Sequence, residues 1–330
     1  MKTAKARIST SVMGYSLVEL MVALTIGLII LVAVTSLFAT SKASYSTQVG
    51  QDALQENGRY AIRALADDVR LAGFVGVTYD PIMVSPQVYT ATAVTSACEA
   101  NWVNIGQPIF GLNASATSGA GSNAGATFTA CIPAADYKVG TDILVLRHAS
   151  GQTTCPLVGG VPTCPSATTI YMQTELDRAN FFTGTAPPAA ASSPSSIHEM
   201  NINVYYIRPH ATVAGDGIPT LVRETLIAGP QMVAQPLVEG VESMQISYGI
   251  DTTVPGDLVV DSYVTAAGVT NWTQVVSIRV ELLVRTPSKE GGLTNSNSYT
   301  LGDVTVPTAS DQYRRGVYST TIMLRNHRRT

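Results

Sequence analysis

Charge is scarce in this sequence. Only 13% of its 330 residues are Asp, Glu, Lys or Arg, against 45% that are hydrophobic. That balance excludes a disordered chain and fits a packed core under a sparsely charged surface. Basic residues are not in excess either. The net charge is −3, so no nucleic-acid partner is implied, and Arg325, Arg328 and Arg329 read as a solvated tail. Catalytic motifs are also missing. His148, His198, His210 and His327 are scattered, and none belongs to an H-E-x-x-H helix or flanks a C-x-x-C pair. The run GAGSNAG lacks the Gly-Lys-Ser/Thr of a phosphate loop and does not form G-x-S-x-G. A flexible serine-rich loop is the plainer reading. The chain is therefore expected to be non-catalytic and to need no cofactor. Because catalytic triads assemble in space rather than in sequence, a membrane-anchored periplasmic enzyme stays as the alternative from another class.

Cysteine is limited to Cys98, Cys131, Cys155 and Cys164. An even count in an exported segment reads as two disulfides. Of the three pairings, Cys98–Cys131 with Cys155–Cys164 is favoured, because each bond closes the shorter loop. The rival is a zinc site, but it lacks a C-x-x-C pair and has only His148 nearby. Asp251, Asp257 and Asp261 cluster in DTTVPGDLVVD, and calcium favours several oxygen ligands. Their spacing is not that of an EF-hand. Solvated turn acids are the preferred reading, with a cation site as the alternative, and no other metal is expected.

Against this thin background of charge, the N-terminus stands out. Lys2, Lys5 and Arg7 precede an apolar run with no acid among them, a bias that keeps the N-terminus in the cytoplasm. From Leu20 to Ser41 the chain carries no charge. That stretch is about 22 residues, and a helix needs about 20 to cross the hydrocarbon. One acid, Glu19, sits at its edge, where a carboxylate facing lipid is costly. A cleaved secretory signal is one reading, with Ser41-Lys42-Ala43 as its small-x-small site. Its apolar core would be longer than such signals use. A plain membrane anchor with a snorkelling Glu19 is another.

A third reading accounts for more residues. Gly14 followed by Tyr15-Ser16-Leu17-Val18-Glu19-Leu20 resembles the leader of type IV prepilins. The resemblance implies that a prepilin peptidase removes residues 1–14, cutting between Gly14 and Tyr15, and N-methylates Tyr15. The usual phenylalanine at that position is a tyrosine here. Removal of the leader takes the net charge from −3 to −6. It also creates an α-amino group on Tyr15 near the positive end of a helix, where a carboxylate is favoured. Tyr15 and Glu19 are one helical turn apart. By the same resemblance, Glu19 meets the freed amine of a neighbouring pilin and sets the register of assembly. Because desolvation offsets the attraction, the gain is at most a few kcal/mol.

The helix is expected to run on to residue 72, with a membrane span at about 18–40. Leu54, Ala61, Leu65, Val69 and Ala72 fall on one stripe, Gly50 and Gly58 weaken the helix, and Gly73 caps it. A helix over 15–72 would be about 87 Å long. Beyond it, residues 73–330 read as one β-rich head. Val276, Ile278, Val280, Leu282 and Val284 alternate with Ser277, Arg279, Glu281, Leu283 and Arg285, which predicts a strand with one wet face. Further strands are expected at Ile143–Arg147, Thr168–Met172, Ile202–Ile207, Leu221–Ile227, Met244–Tyr248 and Val317–Leu324. Gly111–Gly125 and Gly184–Ser196 read as loops. The result is an α+β fold, a long N-terminal helix packed on an antiparallel β-rich head.

Four blocks in order resemble the PilW group of minor pilins. They are the leader with RYAIRALADDVRLAGFVG, then LVEGVESMQISYGID, WTQVVSIRVELLVRT and YRRGVYSTTIMLRN. The resemblance implies a pilin-like fold and a structural role in type IV pilus assembly. It places the protein in the bacterial inner membrane with its head in the periplasm, and then at the pilus tip. The implied partners are other minor pilins, the major pilin, the prepilin peptidase, the inner-membrane assembly machinery and a tip adhesin. A type II secretion pseudopilin would share the leader and helix and is the nearest rival. Residues from about 80 to 200 carry no matching motif.

Overall fold

The computed structural model describes residues 14–77, 107–113, 132–158, 161–176, 179–187, 195–229 and 231–326. A helix, α1 (Leu17–Leu71), precedes the strands β1 (Ile109–Leu112), β2 (Ile143–Ala149), β3 (Leu157–Val158), β4 (Val161–Pro162), β5 (Ile170–Thr174), β6 (Ala179–Thr183), β7 (Ser196–Arg208), β8 (Thr220–Ile227), β9 (Gln231–Glu239), β10 (Val241–Ile250), β11 (Ser262–Val264), β12 (Val275–Arg285), β13 (Tyr299–Leu301), β14 (Val304–Val306) and β15 (Arg315–Met323). This is the expected α+β class, with one long apolar N-terminal helix and an antiparallel β-rich head. By compactness the chain divides into residues 1–49 and residues 50–330.

Within the second unit, the end of α1 buries the predicted stripe. Leu54, Ala61, Leu65 and Val69 are buried, and so is Ala72 just past the helix. Steps of three, four and seven residues return side chains to one face, so the stripe meets a single core. The last helical carbonyls would be left without partners, as at any helix end. Here Asn326 supplies them, its amide donating to the carbonyls of Arg70, Leu71 and Ala72 at 3.2, 3.3 and 3.2 Å.

The larger sheet has the order β1-β2-β7-β5-β6, with β8 added to β7 and β9 to β8. Strand β7 organises it. Its first residues pair with β5, Met200–Tyr205 pair with β2, and Asn203–Arg208 pair with β8. Side chains alternate across a strand. On β2 and β7 both sets find cover. Leu144, Leu146, Tyr205 and Ile207 enter one core, while Ile143, Val145, Ile202 and Val204 enter another. The first core is shared with the α1 stripe and with Met244, Ile246, Ile278, Val280, Leu282 and Ile322 of a second sheet, ordered β11-β10-β12-β15.

Among the described residues the strands form these two larger sheets and two small ribbons, β3-β4 and β13-β14. The chain leaves the first sheet for the second through Gly240, between β9 and β10. Its φ is +84°, and a Cβ there would lie 2.7 Å from the Arg285 carbonyl oxygen, so only glycine fits. Its N–H donates to Pro219 of the first sheet's flank at 2.7 Å, and its carbonyl accepts from Arg285 of β12 at 2.8 Å.

Strand β12 also departs from expectation. Its even-numbered inner set, Ile278 to Val284, is buried as predicted, but the other face is wet only at Arg279 and partly at Glu281. Ser277, Leu283 and Arg285 are buried. Ser277 is covered by the Tyr263 hydroxyl at 3.2 Å, and Arg285 by Glu242 and the Tyr313 ring. Strand β9 was missed because Pro236 interrupts it. Proline is tolerated there because β9 pairs only with β8 and lies at a sheet edge. Gly111 and Leu112, expected in a loop, form the end of β1, and residues 114–125 of that loop lie outside the described residues. Residues 184–187 and 195 of the second expected loop are irregular as expected, and 188–194 are outside.

Candidate functional site

Within residues 14–49 the candidate site is the surface of α1. The helix is long and apolar enough to cross a membrane. Its apolar side chains are open to the surroundings, with Leu17 74% and Phe38 71% exposed. Such a continuous apolar surface marks a lipid or protein contact. Four hydroxyls of its apolar run are satisfied from within. Thr25, Thr35, Ser36 and Thr40 donate to the carbonyls of Val22, Leu31, Ala33 and Ser36 at 2.8–2.9 Å. That is the arrangement an apolar medium demands, since no water is there to bond them.

The helix begins two residues after Tyr15, which is 85% exposed and outside the helical ladder. Tyr15 thus precedes the helix whose first turn holds Glu19. Ser16 takes the N-cap position, its carbonyl accepting from Leu20 N at 3.1 Å, and Glu19 is three residues on in the first turn. Ser-x-x-Glu is the pattern of a capping box, in which the glutamate serves its own helix. Gly14 is exposed, and residues 1–13 of the expected leader lie outside the described residues.

In the second unit, α1 carries an acid whose side chain is only 10% exposed. Asp68 is three residues from Leu65 and four from Ala72, on the side that faces the larger sheet. Its carboxylate accepts from His148 Nε2 at 2.7 Å, Asn203 Nδ2 at 2.9 Å and the Tyr205 hydroxyl at 2.8 Å. Thr225 on β8 completes the shell by donating to Asn203 Oδ1 at 2.6 Å. Burial alone would raise the Asp68 carboxyl. The bond and charge of His148, with Tyr205 and Asn203, outweigh it and hold Asp68 below the usual carboxylate range. For His148, burial disfavours the proton, but Asp68 and the Ala149 carbonyl outweigh it and raise its pKa. Asp67, the neighbour of Asp68, pairs instead with Arg63 at 3.8 Å on the exposed side, and sequence reasoning missed Asp68. A charge on an otherwise apolar stripe was the signal.

A second buried network ties β10, β12 and β15. Glu242 accepts from Arg315 Nε at 2.5 Å and from Arg315 and Arg285 at 3.0 and 3.4 Å, while Asp311 takes Arg315 through both oxygens at 2.7 Å. The Arg315 guanidinium holds Asp311 down to about 2.

The other predicted residues are placed as follows. Cys155 and Cys164 form a disulfide beside Tyr171, Phe182 and Ile197. Their sulfurs are thus unavailable to zinc, and His148 is engaged by Asp68. Cys98 and Cys131 lie outside the described residues. Asp251, Asp257 and Asp261 are turned onto their own loop. Asp251 accepts from Leu258 N at 2.7 Å and from Thr253, Asp261 from Thr252 N at 2.7 Å, and Asp257 from Val259 N at 2.9 Å. Among the described residues no group of three metal-ligating side chains is brought together. A groove of about 550 Å³ between α1 and β9 is lined by Ala53, Glu56, Asn57, Tyr60, Leu237 and Glu239, among others. Its lining offers carboxylates without a histidine, serine or cysteine beside them.

Comparison with known families adds the deciding observation. Residues 204–326 match the family model of Type IV Pilus-assembly protein W. The match supports the PilW family. It covers less than half the chain, from the end of β7 through β15, and does not reach α1 or the leader. The three C-terminal blocks singled out in the sequence lie within it. They are β10 with its Gly240 turn, β12, and β15, three adjoining strands of the smaller sheet. No curated protein and no solved structure matches the chain.

Proposed function

We propose that the chain is a minor pilin that takes part in type IV pilus assembly as a structural, non-catalytic subunit. The observation that carries this reading is the PilW match over residues 204–326 in a chain that also presents an exposed, membrane-length apolar helix. In this reading the prepilin peptidase cuts between Gly14 and Tyr15, and Tyr15 is N-methylated. The α1 surface first holds the protein in the inner membrane with the head in the periplasm. It then exchanges lipid for the helices of other minor pilins and the major pilin. Glu19 meets the freed amine of a neighbour and fixes the register.

The head would prime or cap the filament, next to a tip adhesin. A head of this size is hard to repeat along a tightly wound shaft, which favours the tip. Labelling of sheared filaments with an antibody to the head tests the assignment. One label at a filament end is expected. Labels spaced along the shaft would remove the tip role, and absence from filaments would remove the pilin reading.

A further inference from the structure

We infer that Asp68 and His148 form a proton-dependent clasp that fastens the end of α1 to the larger sheet and loosens when the imidazole becomes neutral. The inference concerns residues 50–330 alone and does not rest on the pilin reading. Its ground is the surroundings of the ring. Nδ1 of His148 lies 2.8 Å from the Ala149 carbonyl oxygen and Nε2 lies 2.7 Å from the Asp68 carboxylate. Both partners are acceptors. A neutral imidazole carries one N–H, so one of its nitrogens would turn a lone pair toward an oxygen at bonding distance. Only the imidazolium satisfies both.

The ring has no easy escape. His148 is 4% exposed, and its β2 position is fixed on both sides by Gly73 N to Arg147 O at 3.0 Å and Ala149 N to Phe74 O at 2.6 Å. These two bonds anchor the segment just past the helix to β2, so strain at the ring is felt at the helix end.

The groups that face the pair come from three elements. From α1 there is Asp68 itself, while Asp67 points outward to Arg63 and Arg70. From β7 come Asn203 and Tyr205, and from β8 come Thr225 and, acting on Tyr205, Arg223. The Tyr205 hydroxyl is pushed well above its ordinary value by burial and by Asp68, so it stays a donor across the working range. His148 is therefore the member that changes state as pH rises above 6.5.

The sign follows from the direction of each shift. His148 has a raised pKa in the fold, so its contribution is complete below the unfolded value of 6.5 and is lost as pH climbs through the raised value. Asp68 has a lowered pKa, so its contribution is complete above 3.8 and is lost as pH falls through the lowered value. Between these limits the clasp is shut. Across the upper window the opening equilibrium grows about tenfold per pH unit.

The test uses the full-length chain in detergent micelles. Nitrogen NMR of His148 should show both ring nitrogens protonated at pH 6, titrating above 6.5. Hydrogen exchange of peptides covering residues 61–76, corrected for its intrinsic pH dependence, should lose protection about tenfold per unit across that titration. His148→Gln should flatten this dependence. A neutral single tautomer at pH 6, or protection that does not follow the ring's titration, overturns the inference. If His148→Gln fails to fold, the wild-type ring titration and exchange decide it alone.

Discussion

Gly58 of α1 and Tyr318 of β15 stand in direct contact. A Cβ on Gly58 would fall 2.4 Å from the Tyr318 ring, whose hydroxyl donates to the Leu54 carbonyl at 3.1 Å. The glycine lets the helix approach the smaller sheet closely enough for that bond. Gly58→Ala should improve intrinsic helix propensity by about 1 kcal/mol. It should still destabilise the head, because overpacking a contact this close costs about 1–3 kcal/mol and breaks the Tyr318 bond. Urea unfolding of the full chain in micelles checks this, with a lowered midpoint as the expected result.

That pair also shows where the sequence was readable. The stripe Leu54, Ala61, Leu65, Val69 and Ala72 was legible because a single period decides it, and each of the seven strands expected was found within a few residues. Gly58 read only as a weak point, since its partner Tyr318 is distant in sequence. Asp68 was passed over for the same reason: its three donors come from β2 and β7. The closed face of β12 depends on Tyr263, Glu242 and Tyr313, none of which adjoins it in the chain. Local periodicity fixes which residues are apolar together. It does not say which distant polar groups complete the other face.

The Asp311–Arg315 pair gives a pH-dependent prediction. Asp311 is held at about 2 in the fold, so its contribution is whole above about pH 4 and is lost as pH falls toward 2. Asp311→Asn should lower stability at pH 7 and flatten the acid limb of the stability curve between those values. Thermal unfolding of wild type and variant from pH 2 to pH 7 compares the two slopes. Parallel acid limbs would contradict the assignment.

The Cys155–Cys164 bond closes a short loop, its ends a sequence separation of 9 apart. Loops of that length contribute about 2–3 kcal/mol on the chain-entropy account. Cys155→Ser should therefore lower the thermal midpoint measured under oxidising conditions. Mass spectrometry under non-reducing conditions verifies the bond directly.

Glu19 can serve its own helix or a neighbour's amine, and two substitutions separate these. A capping box accepts Gln as well as Glu at this position, whereas an ion pair needs the charge. If the proposed pairing between subunits holds, Glu19→Gln and Glu19→Ala should both fall out of sheared filaments at least tenfold relative to wild type, on the order of 1.4 kcal/mol. Retention of Glu19→Gln at the wild-type level would assign the residue to the helix cap alone.

The central claim is that the mature protein begins at Tyr15 and uses the bare end of α1 to assemble. Intact-mass and N-terminal peptide analysis of the protein extracted from membranes tests it most directly. An N-methylated Tyr15 as the first residue is the predicted result. A chain that still carries Met1, or one that starts at Ser44, would contradict it.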